Sequence, residues 1–322
     1  MFKNTNFKVI VLSMTLFILL FALTAQAQDL QLTIATGGTG GPYHTIATGL
    51  SEIWNSNIDG INVSVASTGA SVINNRMVNE NKAELAFAMS DVCYYGKEGL
   101  LMFEGQPLKN VRGFASAHTN FVQVITTKGS GIKTIADLKG KRVGVGAPGS
   151  GTELNARRIL AARGMDYDDL GKADFLSYAE SCEQLSNRNI DAAFLTGGLP
   201  IASITELATT QDIDIVTISE ETVNKMRESF PVYVSTAIPA GTYKGVNRDV
   251  KTLGLKNYML VNKDLDKDVV YDLVSVMFNN LDKLYGYHNA AKMITLEGAL
   301  EGMTLDLHPG VEKFYKEKGL LE

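Results

Sequence analysis

Gln31-Leu32-Thr33-Ile34-Ala35-Thr36 runs directly into Gly37-Gly38-Thr39-Gly40-Gly41-Pro42-Tyr43-His44, after which Ile46, Leu50, Ile53 and Trp54 fall at i, i+4, i+7 and i+8. An apolar run, a glycine turn and one apolar helix face make a βα unit. Pro42 suits the first helical turn, where its missing N–H is no loss. The unit then repeats. Ile61, Val63 and Val65 alternate as a half-buried strand, Ser67-Thr68-Gly69-Ala70-Ser71 turns the chain, and a helix follows to about Asn81. Leu85–Met89 is a third strand, running into Ser90-Asp91.

Phe121–Thr126 is a strand that leaves this first series. A second begins with the strand Lys141–Gly146, the turn Ala147-Pro148-Gly149-Ser150-Gly151-Thr152-Glu153 and a helix carrying Leu154, Ile159 and Leu160. Further strands are expected at Ile190–Leu195, entering Thr196-Gly197-Gly198-Leu199-Pro200, and at Ile213–Ile218. Lys251–Val261 reads as a long strand, followed by Val270, Leu273, Met277, Phe278, Leu281 and Leu284 at helical spacing. This alternation is that of α/β proteins with largely parallel sheets. No Pro/Gly/Ser-rich linker divides the chain, which favours two lobes joined by crossing strands: residues 28–122 with 251–322 as lobe I, and 123–250 as lobe II.

With 322 residues, 45% of them hydrophobic and 20% charged, the chain can bury a core of one large or two ordinary domains. Its 30 basic and 35 acidic residues, net −5, argue against a nucleic-acid partner held by phosphate neutralisation. Lys3 and Lys8 precede the apolar run Val9 to Leu23, and Ala25-Gln26-Ala27 offers small residues at a cleavage point. Residues 1–27 therefore read as a secretory signal peptide, with a retained membrane anchor as the alternative. Cleavage would remove two lysines and no acid, leaving 28 basic and 35 acidic residues, net −7, on a product expected in the periplasm. Cys93 and Cys182, 89 residues apart, are read as free thiols, with a disulfide between them in an oxidising compartment as the alternative.

Four turns, at 37–44, 67–71, 149–153 and 196–200, share a composition of Gly, Ser and Thr and a place between strand and helix. In open α/β sheets that is where ligands bind, against helix N-termini whose unpaired N–H groups favour a small anion. Taken singly, each turn is equally well a capping sequence. Gly144 and Gly149 have the spacing of P-loop glycines, but Ser150 and Gly151 occupy the places of Lys and Ser/Thr, and Tyr43 replaces the last glycine of a dinucleotide fingerprint. No nucleotide cofactor is expected, and the spacing of His44, His118, His288 and His308 suggests no metal. His44 sits in the first turn. Asp91 is either a helix cap or a ligand-facing carboxylate, and Cys93 a packing residue.

Thr36-Gly37-Gly38-Thr39-Gly40-Gly41 with Tyr43, Ser67-Thr68-Gly69-Ala70-Ser71-Val72 with Asn74, Ala86-Phe87-Ala88 through Asp91-Val92 with Tyr94-Tyr95, Gly149-Ser150-Gly151-Thr152-Glu153, Ile190-Asp191-Ala192-Ala193-Phe194, Gly241-Thr242-Tyr243 and Leu307-His308-Pro309-Gly310 before Tyr315 occur in that order. In these stretches, spread over nearly the whole chain beyond residue 27, the sequence resembles the TAXI proteins, solute receptors of one branch of the TRAP transporters. The resemblance implies a type II periplasmic-binding-protein fold, two hinged α/β lobes that close on a small carboxylate, such as a glutamate-like amino acid or a 2-oxo dicarboxylate. It further implies delivery to an integral-membrane TRAP permease, no cofactor and no catalysis, by a chain expected to be a monomer.

Carried over residue by residue, the resemblance implies ligand contact for Gly40, Gly41, Tyr43, Thr68, Ser71, Ser150, Gly151 and Thr152, and less directly for Ser90, Asp91, Thr196, Gly197 and Gly198. His44 departs from the neutral residue expected after Tyr43, and joins the candidate ligand contacts. No arginine lies in the turns; Arg157 and Arg158 fall beyond the third, which leaves anchoring to amides and hydroxyls. Two alternatives stay open: a binding protein of an ABC importer, and an extracytoplasmic enzyme on the same lobes with His44 and Asp91 as acid and base.

Overall fold

In the computed structural model, residues 29–229 and 232–322 are described. The leader expected at 1–27 lies outside them. Among the described residues, no helix is long and apolar enough to cross a membrane.

The βα units form where the periodicity places them. Strand β1 (Leu30–Ala35) pairs in parallel with β2 (Ile61–Ala66) and with β3 (Leu85–Met89), whose five residues are all buried, as suits a strand covered on both faces. The helix Pro42–Asn57 lays Ile46, Leu50, Ile53 and Trp54 on the sheet, and Ser71–Asn79 follows β2. In the second series β5 (Arg142–Gly144) pairs in parallel with β6 (Lys172–Asp174) and β7 (Ala192–Gly197), with helices Gly151–Ala162 after β5 and Tyr178–Ser186 after β6.

Two long strands join the series. β4 (Val111–Thr127) runs antiparallel to β10 (Val250–Asn262), giving the path β2-β1-β3-β10-β4-β7-β5-β6. Short strands β8 (Ile213–Val216) and β9 (Val234–Ile238) add antiparallel to β4 and β10. Each long strand changes partners midway. β10 uses Asn257–Val261 against β3 and Val250–Gly254 against β9, while β4 pairs with β10 up to Phe121 and with β7 from Phe121 onward. Both therefore cross from one half of the sheet to the other.

The strand expected at Phe121–Thr126 is thus the second part of a longer one. Its first part hides from hydropathy because Ser116, His118 and Asn120 are buried polar residues amid the apolar ones. The run read as one helix from Val270 to Leu284 is two, Lys267–Asn279 and Leu281–Tyr285, broken at Asn280, where φ is −126°.

One core cluster, around Trp54, Phe114, Leu273 and Phe314, belongs to the first half, and another, around Ile125, Ile204 and Ile215, to the second. A third spans both: Val72, Val92 and Phe103 pack with Leu154, Ile159 and Leu253. Beside it lies a buried ion pair. Arg158 reaches Asp91 at 3.2 Å, with the Asp91 side chain wholly inaccessible and the Arg158 side chain 11% exposed. Tyr233 donates to Asp91 Oδ2 at 2.9 Å, the Val92 N–H donates to Oδ1 at 2.8 Å, and the Arg158 guanidinium stands 4.4 Å from the Tyr95 ring centre. Burial pushes the Asp91 carboxyl pKa up, against the opposing pull of Arg158.

Removing one partner of such a pair strands the other's charge, at a cost of about 3–5 kcal/mol. Arg158→Met is therefore expected to destabilise by that amount in urea unfolding, and Asp91→Asn/Arg158→Met to recover more than half of it. A double variant no more stable than Arg158→Met would contradict the coupling. Trp54 is wholly buried and its Nε1 donates to the Leu273 carbonyl at 2.9 Å. Trp54→Ala is expected to lower the unfolding free energy by about 3–5 kcal/mol, and a loss under about 1 kcal/mol would show that this contact is peripheral.

Candidate functional site

A cavity of about 70 Å³ lies where the turns of both halves meet. At about 10–15 Å³ for each water-sized probe sphere it has room for roughly five waters, the bulk of a small organic acid. The first half supplies Gly37, Gly38, Gly41, Pro42, Tyr43, Thr68, Gly69 and Ala70, with Met89 and Asn120 from the strands beneath. Ala147, Ser150, Thr152, Ser177, Tyr178, Thr196 and Gly197 come from the second. Four helices, beginning at Pro42, Ser71, Gly151 and Tyr178, start at this wall, and the residue preceding each of the last three lines the cavity. Each helix start carries about half a positive charge on its unpaired N–H groups. Among the described residues, no charged side chain lines the cavity. Its pull on an anion is that of backbone dipoles.

Hydrogen bonds hold the polar side chains in place. Asn257, on β10, donates from Nδ2 to the His118 carbonyl at 2.8 Å, and its Oδ1 accepts from Asn120 Nδ2 at 2.9 Å and from the Tyr43 hydroxyl. Tyr43 stacks on Phe87, ring centres 5.2 Å apart, and meets the His118 ring edgewise at 5.7 Å. Burial pushes the Tyr43 hydroxyl pKa well up and takes that of His118 down to about 3, so both stay neutral near pH 7. Opposite, Tyr178 donates to the Thr196 carbonyl and lies 3.1 Å from Thr152 Oγ1. Ser150 and Ser177 cap their helices, accepting from the N–H of Glu153 at 3.1 Å and of Glu180 at 3.3 Å. Thr68 bonds the Thr36 carbonyl at 2.6 Å and accepts from the Ala70 N–H at 2.8 Å, which fixes the second turn.

Of the residues expected at the site, Gly41, Tyr43, Thr68, Ser150, Thr152, Thr196 and Gly197 line the cavity. Gly40, His44, Ser71, Ser90, Asp91, Gly151 and Gly198 do not. His44 lies partly exposed on the helix and accepts from Thr48 through its backbone carbonyl. Ser71 Oγ accepts from the Met89 N–H at 3.1 Å, a bond between turn and strand. Asp91 is neither the N-cap residue nor a ligand-facing carboxylate: Met89 holds the N-cap position of the helix Ser90–Glu98, Asp91 lies in its first turn, and the carboxylate turns to Arg158. With His44 and Asp91 both outside the cavity, the acid and base considered for an enzyme do not meet there.

Of the three glycines outside the cavity, Gly151 and Gly198 serve protein packing, while Gly40 has room for a Cβ. A Cβ on Gly151 would come within 2.4 Å of Met89 Sδ, one on Gly198 within 2.5 Å of Ala290 Cβ, and one on Gly40 would meet Ser203 Cβ at 3.4 Å. Sequence reading missed Ser177-Tyr178, although Ser177 and Glu180 form a capping box, an S-x-x-E signal for a helix start. It also missed Met89 and Asn120, side chains of strands. His288 and His308 cap the segments Asn289–Met293 and Pro309–Glu317, and Cys93 and Cys182 are buried free thiols.

Similar folds occur in solved structures. A protein from Bordetella bronchiseptica RB50 superposes with a TM-score of 0.52 at 19% identity, covering 91% of this chain and 82% of that one. PhnD1 from Prochlorococcus marinus (MIT 9301), in complex with methylphosphonate, gives 0.55 at 11% identity over 90% and 99%. A structure described for glutathione import through GshT and the cystine ABC importer TcyBC of Streptococcus mutans gives 0.51 at 13% identity over 81% and 93%. The architecture is that of type II periplasmic binding proteins, as expected: helices flanking a mixed sheet, with two long strands crossing between its halves. Residues 34–319 match the sequence profile of the NMT1-like family, and the chain belongs to that family.

Proposed function

We propose that this protein is an extracytoplasmic solute-binding receptor, which takes a small carboxylate into the cavity and hands it to a membrane transporter. The observation that carries the reading is the convergence of four helix N-termini from two halves of the sheet on one cavity lined by uncharged residues. Such a place attracts an anion and holds it without an ionic side chain. In this reading residues 28–122 with 251–322 form one lobe and 123–250 the other, and the lobes part to admit the ligand and close on it. A secreted chain released from the leader at 1–27 would work in the periplasm. The site is a binding site and not a catalytic one.

Two kinds of transporter fit such a receptor. The neighbour described with a cystine ABC importer shares the fold and supports an ABC-type partner. The motifs at 36–43, 67–74 and 149–153 support a TRAP permease instead, through their resemblance to TAXI proteins, which also carries the expectation of glutamate-like amino acids or 2-oxo dicarboxylates. The comparisons favour the ABC reading. Reconstitution with the permease from the neighbouring genes separates them: uptake that follows ATP and survives collapse of the ion gradients is the ABC outcome, and the reverse dependence is the TRAP outcome.

Calorimetry with C3–C6 carboxylates and amino acids tests the receptor itself. At least one should bind, raising the melting temperature by mass action and reducing the radius of gyration in solution scattering. Binding by none would sink the proposal, and binding at constant radius would sink the closing motion. Gly41 faces the Tyr178 ring, where an added Cβ would lie 3.2 Å from Cε2, and its φ of −110° suits any residue. Gly41→Leu should thus fill the cavity, weakening binding by more than about a hundredfold, which is nearly 3 kcal/mol, while the melting temperature moves by only a few degrees.

A further inference from the structure

The hydrogen-bond network around the cavity fixes which atoms of Asn120, Tyr43, Thr152, Ser150 and Ser177 face a ligand with a free proton and which with a free lone pair; the Thr196 hydroxyl, without a partner among the described residues, can turn either way. A backbone carbonyl only accepts. Asn257 must therefore present Nδ2 to the His118 carbonyl, which leaves its Oδ1 to accept from Asn120 and Tyr43. Asn120 in turn must present Nδ2 to Asn257, so its Oδ1 is the atom left over. No hydrogen bond of normal geometry reaches that oxygen among the described residues; the neutral His118 ring stands close enough to share a proton with it, and an amide oxygen has a second lone pair to offer, here on a side chain 1% exposed that lines the cavity. Tyr43 has given its proton to Asn257 and retains only lone pairs.

The other wall obeys the same donor rule. Tyr178 gives its proton to the Thr196 carbonyl, so in the 3.1 Å contact with Thr152 the threonine donates. Asn120, Tyr43 and Thr152 thus offer the cavity acceptors. Ser150 and Ser177, whose oxygens accept from their helices, keep hydroxyl protons to donate, alongside the unpaired N–H groups of the helix starts. The site is polarised, with donors at the helix starts and acceptors where Asn120 and Tyr43 meet β10.

A ligand that satisfies both needs an anionic head for the donors and a hydrogen-bond donor of its own for Asn120. An ammonium group is a poor choice for that donor. The cavity has no carboxylate to neutralise it, Asp91 being turned to Arg158, and the field of four helix starts opposes a cation. A keto oxygen brings no proton and would face the Asn120 oxygen lone pair to lone pair. We infer that the cavity selects a small hydroxy-carboxylate over its oxo and amino counterparts, with Asn120 Oδ1 accepting from the ligand hydroxyl. This rests on the receptor reading and names the substrate class within it.

The test is calorimetry on receptor freed of carried-over ligand by unfolding and refolding, with two trios matched in carbon skeleton: lactate, pyruvate and alanine, and 2-hydroxyglutarate, 2-oxoglutarate and glutamate, each chiral member in both enantiomers. In whichever trio binds, one hydroxy-acid enantiomer should bind at least about tenfold tighter than the oxo and amino acids, the worth of one hydrogen bond to a buried acceptor. Asn120→Leu, shown to be folded by circular dichroism, should bring that ratio within about threefold. Asn120→Asp, nearly unchanged in shape, should shift the preference toward the amino acid by supplying the missing counter-charge. Oxo or amino acid binding as tightly as the hydroxy acid would overturn the inference and leave the receptor reading intact, as would a preference that survives both variants. Binding of no member of either trio would overturn the inference, and the receptor reading falls with it only if the wider panel of C3–C6 carboxylates and amino acids also fails to bind.

Discussion

The bond between Asn120 and Asn257 is the constraint from which the site follows. The two residues lie on the long strands where these pass from one half of the sheet to the other, both are buried, and an unpaired amide there would cost about 1–3 kcal/mol. Satisfying Asn257 through the His118 carbonyl orients its amide, which captures the Tyr43 hydroxyl and turns Asn120. Tyr43 in turn anchors the start of the helix Pro42–Asn57, and with it the glycine turn that forms one wall. A polar bond in the middle of a sheet thereby sets the position of a loop at its edge.

The electrostatics are local for a related reason. The chain carries a net charge of −5, so its overall field repels the anions that the proposed receptor would take up. Backbone dipoles resolve the conflict because they act within about a turn of the helix end and are little screened inside a closed cavity. Using amides instead of arginine also leaves the empty cavity free of an uncompensated buried charge, which would hold the halves apart in the absence of ligand. Neutral Tyr43, Tyr178 and Asn120 extend the same choice to the side chains.

The first βα unit was legible because its apolar periods are clean and its glycines fall between them, and the same holds for β2, β3 and the helix after Gly149. What stayed hidden has physical causes. β6 is three residues, Lys172–Asp174, with no apolar alternation to announce the turn at Ser177 that follows it. The start of β4 carries the buried polar residues that build the site, and hydropathy penalises such residues. Glycine is ambiguous for a different reason: Gly41 opens the backbone to the cavity, and Gly151 opens it to Met89. Spacing along the chain does not distinguish these two neighbours. Asp91 belongs to the same class, since its partner Arg158 is 67 residues away and no local pattern connects them.

That ion pair bears on how the proposed closure is balanced. Asp91 belongs to the first series of elements and Arg158 to the second, and each has to shed its water for the contact to form. The desolvation of two such ions largely cancels their attraction, so the pair fixes the register of the halves without driving them together. The apolar cluster of Val72, Val92 and Phe103 against Leu154 and Ile159 favours the closed arrangement, and burying the Asn120 oxygen without a donor of good geometry would oppose it. A ligand that donates to that oxygen and accepts from the helix starts removes the opposing cost. Closure then depends on the ligand's hydrogen-bond pattern more than on its charge alone, because only a matching pattern leaves no buried group unpaired.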